Sequence, residues 1–181
     1  KKRASMAGIL VVVAIITFIA IAFRRVTKPV ASWKFGVTAV ISLSHDVLIT
    51  LGLFSVLGHF YGVQVDIPFV VALLTIFGYS VNDTIVVFDR IRENLLRRTG
   101  TNFAETTENA IKQTVWRSFN TSVTVLTALA CLFLFGGESV KYFSLALFVG
   151  IFFGTYSSIF LASPLLVSWE EWDRKRQSRA A

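Results

Sequence analysis

Only two of the eleven acidic residues, Asp46 and Asp83, fall inside long apolar runs. A carboxylate at bilayer depth costs about 3 kcal/mol on insertion scales, so each is a candidate functional group by position alone. The chemistry open to it is ion or proton transfer. Asp83 lies in Gly78-Tyr79-Ser80-Val81-Asn82-Asp83-Thr84, the most polar stretch of any apolar run. Such a stretch cannot face lipid along its whole length. Arg117 opens a later run and has two readings. It snorkels to lipid phosphates, or it reaches inward to Asp83. His45 precedes Asp46 and makes an acid–base pair conceivable, but adjacent helical residues point about 100° apart and need not touch. Packing or local hydration is the plainer role for Asp46.

Around these groups the sequence lays out polar rows at helical spacing. Thr38, Ser42, Asp46 and Thr50 form one row. Asn120, Thr121, Thr124, Thr127, Ala128 and Cys131 form another behind Arg117. With the Asp83 stretch, three helices each carry a polar seam, as a bundle interior or water-filled cleft requires. For the hydroxyl rows alone, interhelical hydrogen bonding is a plainer reading than ion conduction. Gly150, Gly154, Ser158 and Ala162 make a small-residue row at i+4 spacing, a groove that lets another helix approach closely. The sequence leaves open whether that helix belongs to this chain or to a partner.

The elements that must position these residues are membrane spans. The chain is 54% apolar and 14% aromatic, and only 16% of it is charged. Its mean hydropathy is +0.65. Soluble domains carry about 25% charged residues, and a hydrocarbon core of about 30 Å is crossed by about 20 apolar residues. These values predict an all-α integral membrane protein with five spans, over about 5–23, 35–60, 67–88, 119–135 and 140–169. They form one transmembrane domain, with an amphipathic segment at 89–118 and a charged tail at 170–181. Asp66 and Pro68 are placed to start the third helix, which should outlast the bilayer and stop at Gly100. Asn102 with Glu105 has capping-box spacing.

The net charge of +7 does not point to nucleic acid, because the cations cluster at the ends of apolar runs. The segments 24–34, 89–118 and 170–181 hold four, six and four Lys or Arg, whereas 61–66 holds none and 136–142 only Lys141. The positive-inside rule places the first three in the cytoplasm. Trp33, Trp116, Trp169 and Trp172 fall at that interface. Lys1-Lys2-Arg3 then sits outside, which is unexpected unless a further helix precedes it. No nucleotide-binding loop, metal-ligand spacing or nucleophile elbow is present, so no enzymatic activity, cofactor or metal is expected. The single cysteine, Cys131, excludes an internal disulfide.

Gly78-Tyr79-Ser80-Val81-Asn82-Asp83-Thr84-Ile85-Val86-Val87-Phe88-Asp89-Arg90-Ile91-Arg92-Glu93-Asn94 resembles the signature of the SecF family, the smaller subunit of the bacterial SecD/SecF export pair. Arg117-Ser118-Phe119-Asn120-Thr121-Ser122 resembles the family's companion motif, and His45-Asp46 also fits. The resemblance implies a member of the RND (resistance, nodulation, division) superfamily, with six helices and an external domain between the first two. The five spans would be the second to sixth. It implies SecD, the Sec channel, exported polypeptides and the lipid bilayer as partners, a bacterial inner membrane with a cytoplasmic C-terminus, and the proton gradient as the energy source. It also implies that Asp83 is the proton-carrying acid and Arg117 its basic partner, supported by Asn82, Asp46, His45, Asn120, Thr121 and Thr124. Burial disfavours a charged carboxylate and a nearby cation favours it, so a moving Arg117 would switch Asp83 between holding and releasing a proton. The rival readings are an RND-type exporter of small molecules or lipids and a non-transporting scaffold of the translocon.

Overall fold

In a computed structural model the chain is all-helical; the structure describes residues 30–180 and Thr17. Helix α1 is Ser32–Tyr61, α2 Ile67–Arg97, α3 Phe103–Phe135 and α4 Glu138–Ser157; a π-helical turn, Ser158–Ala162, joins α4 to α5, Ser163–Ala180. Among the described residues four helices are long and apolar enough to cross a membrane, the last being α4 through α5 taken together. The count of five is therefore not matched, and the expected span at 5–23, Thr17 apart, lies outside the described residues. The charged tail, over 170–180, is a continuation of α5.

Local chemistry sets the helix ends. Gly62 closes α1 at φ 68°, with its N–H returned to the α1 carbonyls; glycine takes this left-handed region without strain. Asp66 caps α2 by accepting from the Phe69 N–H at 3.1 Å. The stop of α2 corrects the expectation at Gly100. Arg98 takes the left-handed conformation at φ 54°, and the Thr99 N–H closes onto the Asn94 carbonyl at 3.2 Å. Gly100 has a different task, since a Cβ there would meet the Thr106 backbone N at 2.8 Å. Asn102 caps α3 by accepting from the Glu105 N–H at 2.8 Å. The Glu105 carboxylate reaches past the cap to the Thr101 N–H, also at 2.8 Å.

The buried apolar side chains fall into two clusters. One joins Phe35 and Ala39 to Val87, Phe88, Ile91, Phe103 and Leu166. The other joins Phe54, Phe69, Ile76, Leu129, Leu147 and Ile151. Between them lies a buried polar layer: Ser42, Asp46 and Thr50 from α1, Ser80, Asp83 and Thr84 from α2, Ser118 and Ser122 from α3, and Ser157 and Ser158 beside the π-turn. Helix α4 is the hub, packing on α1, α2 and α3. Its small-residue row receives α2 of the same chain: a Cβ on Gly150 would run into Ile76, and one on Gly154 would lie 3.2 Å from the Ser80 Cβ. Ser158 and Ala162 continue the row, both fully buried.

At the predicted cytoplasmic end a second contact ties the first and last helices. Lys34 is only 6% exposed, pairs with Asp173, and lies 5.1 Å from the Trp169 ring and 5.8 Å from the Trp33 ring. The two indoles meet edge to face at 5.2 Å. Cation–π attraction and an ion pair together hold a lysine that burial would otherwise penalise.

Candidate functional site

The two membrane carboxylates are held in unlike ways. Asp46, at the midpoint of α1, is fully buried. Its Oδ2 accepts from Ser80 at 2.6 Å and from Ser157 at 2.9 Å. Its Oδ1 lies 3.1 Å from His45 Nδ1, so these neighbours do touch. Both oxygens of Asp46 are thus engaged.

Asp83 sits on α2 one turn beyond Ser80 and is 9% exposed. Its Oδ1 accepts from Ser118 at 2.6 Å, while its buried Oδ2 has no hydrogen-bond partner. The nearby Ser158 hydroxyl donates to the Gly154 carbonyl at 2.8 Å and is shared with Thr84 at 2.9 Å. A hydroxyl has one proton, and in this arrangement Ser158 gives it to Gly154. A proton can be added at Oδ2 or removed from it without breaking an existing bond.

Arg117 immediately precedes Ser118, the donor to Asp83, on α3. Among the described residues no ion pair or hydrogen bond joins Arg117 to Asp83. Arg117 is exposed on this chain's surface and lines a hollow of about 390 Å³ with Asp89, Arg90, Glu93 and Gln113. Arg90 crosses the α2–α3 gap there, donating to Gln113 at 2.5 Å and to Glu93 at 2.5 Å.

One expectation needs correction. The row Asn120, Thr121, Thr124, Thr127, Ala128 and Cys131 does not face the bundle interior; all six are exposed. The face of α3 that meets the bundle carries Thr114, Ser118, Ser122 and Leu129. Thr121, Thr124 and Thr127 return their hydroxyls to carbonyls of their own helix at 2.7–2.9 Å, which removes the need for an interior partner. Asn82 is likewise exposed, although its neighbour Asp83 is buried. The side chains of Asn82, Arg117 and Asn120 form no hydrogen bond with other described residues.

Sequence reasoning missed Ser118, Ser80 and Ser157, the donors that hold both carboxylates. It also missed the chain Tyr79–Ser122–Thr155, linked at 3.2 Å and 2.6 Å. A signal was present for α3: Thr114, Ser118 and Ser122 recur at i+4, a second polar row about 200° round the helix from Asn120.

The whole pattern matches a known family. Residues 1–172 fit the family model for the C-terminal part of the protein export membrane proteins SecD and SecF. This chain belongs to the SecD/SecF family. Like its SecF relatives it is a multi-pass membrane protein. The protein translocase subunit SecF of Thermobaculum terrenum is 51% identical over 173 residues, covering 96% of this chain and 54% of the relative. That of Synechocystis is 49% identical over 138 residues, 76% of this chain and 44% of the relative. The fused subunit SecDF of Thermus thermophilus is 45% identical over 151 residues, 82% of this chain and 20% of the fusion. A crystal structure of SecDF in a Super-membrane-facing form superposes with a TM-score of 0.85 at 41% identity, covering 99% of this chain and 23% of that one. The chain spans about half the length of the SecF relatives it matches.

Proposed function

We propose that this chain is the membrane segment of a SecF-type export subunit, in which Asp83 takes up and releases protons of the transmembrane gradient while polypeptide is moved across the membrane. The observation that carries the reading is the asymmetry at Asp83: a buried carboxylate with one oxygen bonded to Ser118 and the other open. Structural glue has no use for an open, ionisable oxygen at that depth, whereas a proton carrier depends on one. Arg117, within electrostatic reach but not locked in an ion pair, can approach Asp83 or withdraw from it. The proton gradient supplies the energy in this reading, and no bound cofactor takes part.

The outward faces of α2 and α3 support a SecD-type half as partner. Gly78, Asn82, Asn120, Thr121 and Thr124 are exposed on this chain within the spans, where lipid cannot hydrogen-bond to the amides, and the exposed Arg117 stands at the start of the same face. A Cβ on Gly78 would meet nothing within 4 Å, so a neighbouring helix can come close there. The SecDF relative carries both halves in one polypeptide. The Sec channel and the exported polypeptide complete the partner set. The basic segments support a cytoplasmic position for the loop at 98–102 and for the end of α5, in a bacterial-type inner membrane.

The test is Asp83→Asn in the full-length subunit with SecD, assayed as translocation into membrane vesicles with and without a proton gradient at matched protein levels. The variant keeps size and hydrogen bonding and removes the titratable proton. It should assemble and lose the gradient-dependent part of export. Arg117→Met should impair coupling more than Arg117→Lys, which keeps the charge but not the planar fork. Full gradient-dependent export by Asp83→Asn would favour the scaffold reading instead.

A further inference from the structure

Asp46 has an environment that the Asp83 reading does not use. It is fully buried at the midpoint of a membrane helix, where an uncompensated charge carries a penalty of several kcal/mol. The groups facing it from other helices are neutral: Ser80 on α2, and Gly154 and Ser157 on α4. The other titratable groups nearest this level are Tyr79 and Asp83, flanking Ser80 on α2, and Tyr156, beside Ser157 on α4. His59 lies thirteen residues along α1, Asp89 nine residues beyond Ser80, and Glu138 and Lys141 in the first turn of α4. Last comes Lys34, which pairs with Asp173 and lies twelve residues back along α1, about 18 Å away. Hydroxyls spread a carboxylate's charge without cancelling it. Among the described residues His45, with Nδ1 at 3.1 Å, is the one group in contact that can become a cation.

We infer that His45 and Asp46 share a proton and form a second protonatable site in the membrane, separate from Asp83. With one proton between Nδ1 and Oδ1 the pair is either imidazole with carboxylic acid or imidazolium with carboxylate. Both forms are neutral overall, which accounts for the tolerance of Asp46 at this depth. A second proton gives imidazolium beside carboxylic acid, and loss of the shared proton leaves imidazole beside carboxylate. The carboxylate is sealed, whereas the His45 side chain is 35% exposed and opens on a hollow lined by Val40, Ile41, Ser44 and Leu48. The imidazole is thus the outward-facing member of the pair, and it can take a proton on one nitrogen and release one from the other. The site feeds back on Asp83 by geometry: Ser80 lies on the same face of α2 one turn away, and Ser157 precedes Ser158 of the π-turn, the hydroxyl that bonds Thr84.

The inference concerns a different residue pair from the proposed function, and one experiment separates them. Full-length protein in lipid is titrated by pH-difference infrared spectroscopy, reading the carboxylic C=O bands in the natural protein, Asp46→Asn, Asp83→Asn and His45→Gln. A pH-dependent band should vanish in Asp46→Asn and persist in Asp83→Asn. In His45→Gln its midpoint should move by about one pH unit or more, a tenfold change in proton affinity. Spectra of Asp46→Asn that retain every band overturn the inference. Should Asp46→Asn fail to fold, His45→Gln decides alone: an unmoved set of midpoints overturns it. Loss of the Asp83 band, or its absence, bears only on the export reading.

Discussion

Gly150→Ala probes the contact on which the arrangement of α4 against α2 depends. The added methyl would be driven into Ile76, against its Cδ1, Cγ1 and Cγ2 atoms together. Ile76 is fully buried among Phe54, Phe69, Ala72, Leu147 and Ile151, so it has no free direction in which to turn. Overpacking of this kind costs about 1–3 kcal/mol, and three simultaneous clashes argue for the upper part of that range. Ile76→Ala alone leaves a cavity and should cost about 2–5 kcal/mol. In the double variant the new methyl enters space that the isoleucine vacated, so the combined loss should fall short of the sum by about 1–3 kcal/mol. Gly154→Ala is the internal comparison. Its Cβ would lie 3.2 Å from the Ser80 Cβ and 3.6 Å from Asp46 Oδ2, a misfit of a few tenths of an ångström, so it should cost less than Gly150→Ala. The assay is reversible unfolding of the full-length subunit in mixed micelles. Additivity of Gly150→Ala and Ile76→Ala to within about 0.5 kcal/mol, or a costlier Gly154→Ala, would refute the packing argument.

Two further outcomes are expected. Lys34→Met removes the cation from between Trp33 and Trp169 and leaves Asp173 unpaired; amide hydrogen exchange across 163–180 should speed up several-fold, with Lys34→Arg closer to the natural protein, and unchanged exchange would mean that this contact does not hold α5. In a Cys131→Ala background of the full-length protein in intact cells, Gln64→Cys should react with an impermeant thiol reagent while Thr101→Cys stays protected, and outside labelling of Thr101→Cys would reverse the orientation.

The helices were legible in the sequence because length and apolarity speak directly to the bilayer, and because Asp66, Pro68 and Asn102 carry cap chemistry that works locally. The stop of α2 was less so: Gly100 looked like a C-terminal glycine, but Arg98 had already turned left-handed, and the glycine serves the close approach of Thr106. The two carboxylates stood out because an ionisable group in an apolar run needs no structure to be noticed. Their donors did not, since Ser80, Ser118 and Ser157 are ordinary residues until the helices are brought together. The Lys34–Asp173 pair spans 139 residues in sequence, and no local pattern announces a partner at that distance. The small-residue row was readable as a groove, yet its occupant became known only when Ile76 and Ser80 of α2 were found in it.

Helix α3 is the instructive case because it carries two polar rows on nearly opposite sides. Periodicity finds both, but a helix wheel has no inside until neighbours are assigned. The row that bonds within the chain is Ser118 to Asp83 and Ser122 to Tyr79 and Thr155. The row beginning at Arg117 is exposed, and its threonines satisfy their own hydroxyls. A helix that faced only lipid on its outer side would carry leucine and phenylalanine there, as Phe119 and Val123 do on another flank. Amides within a span have no solvent of their own, which is why the proposed function turns this row toward a partner half. Asp83 of α2 is buried against Ser118, the residue that follows Arg117 on α3. In the proposed function, a partner that moved this one guanidinium would change whether Asp83 keeps its proton.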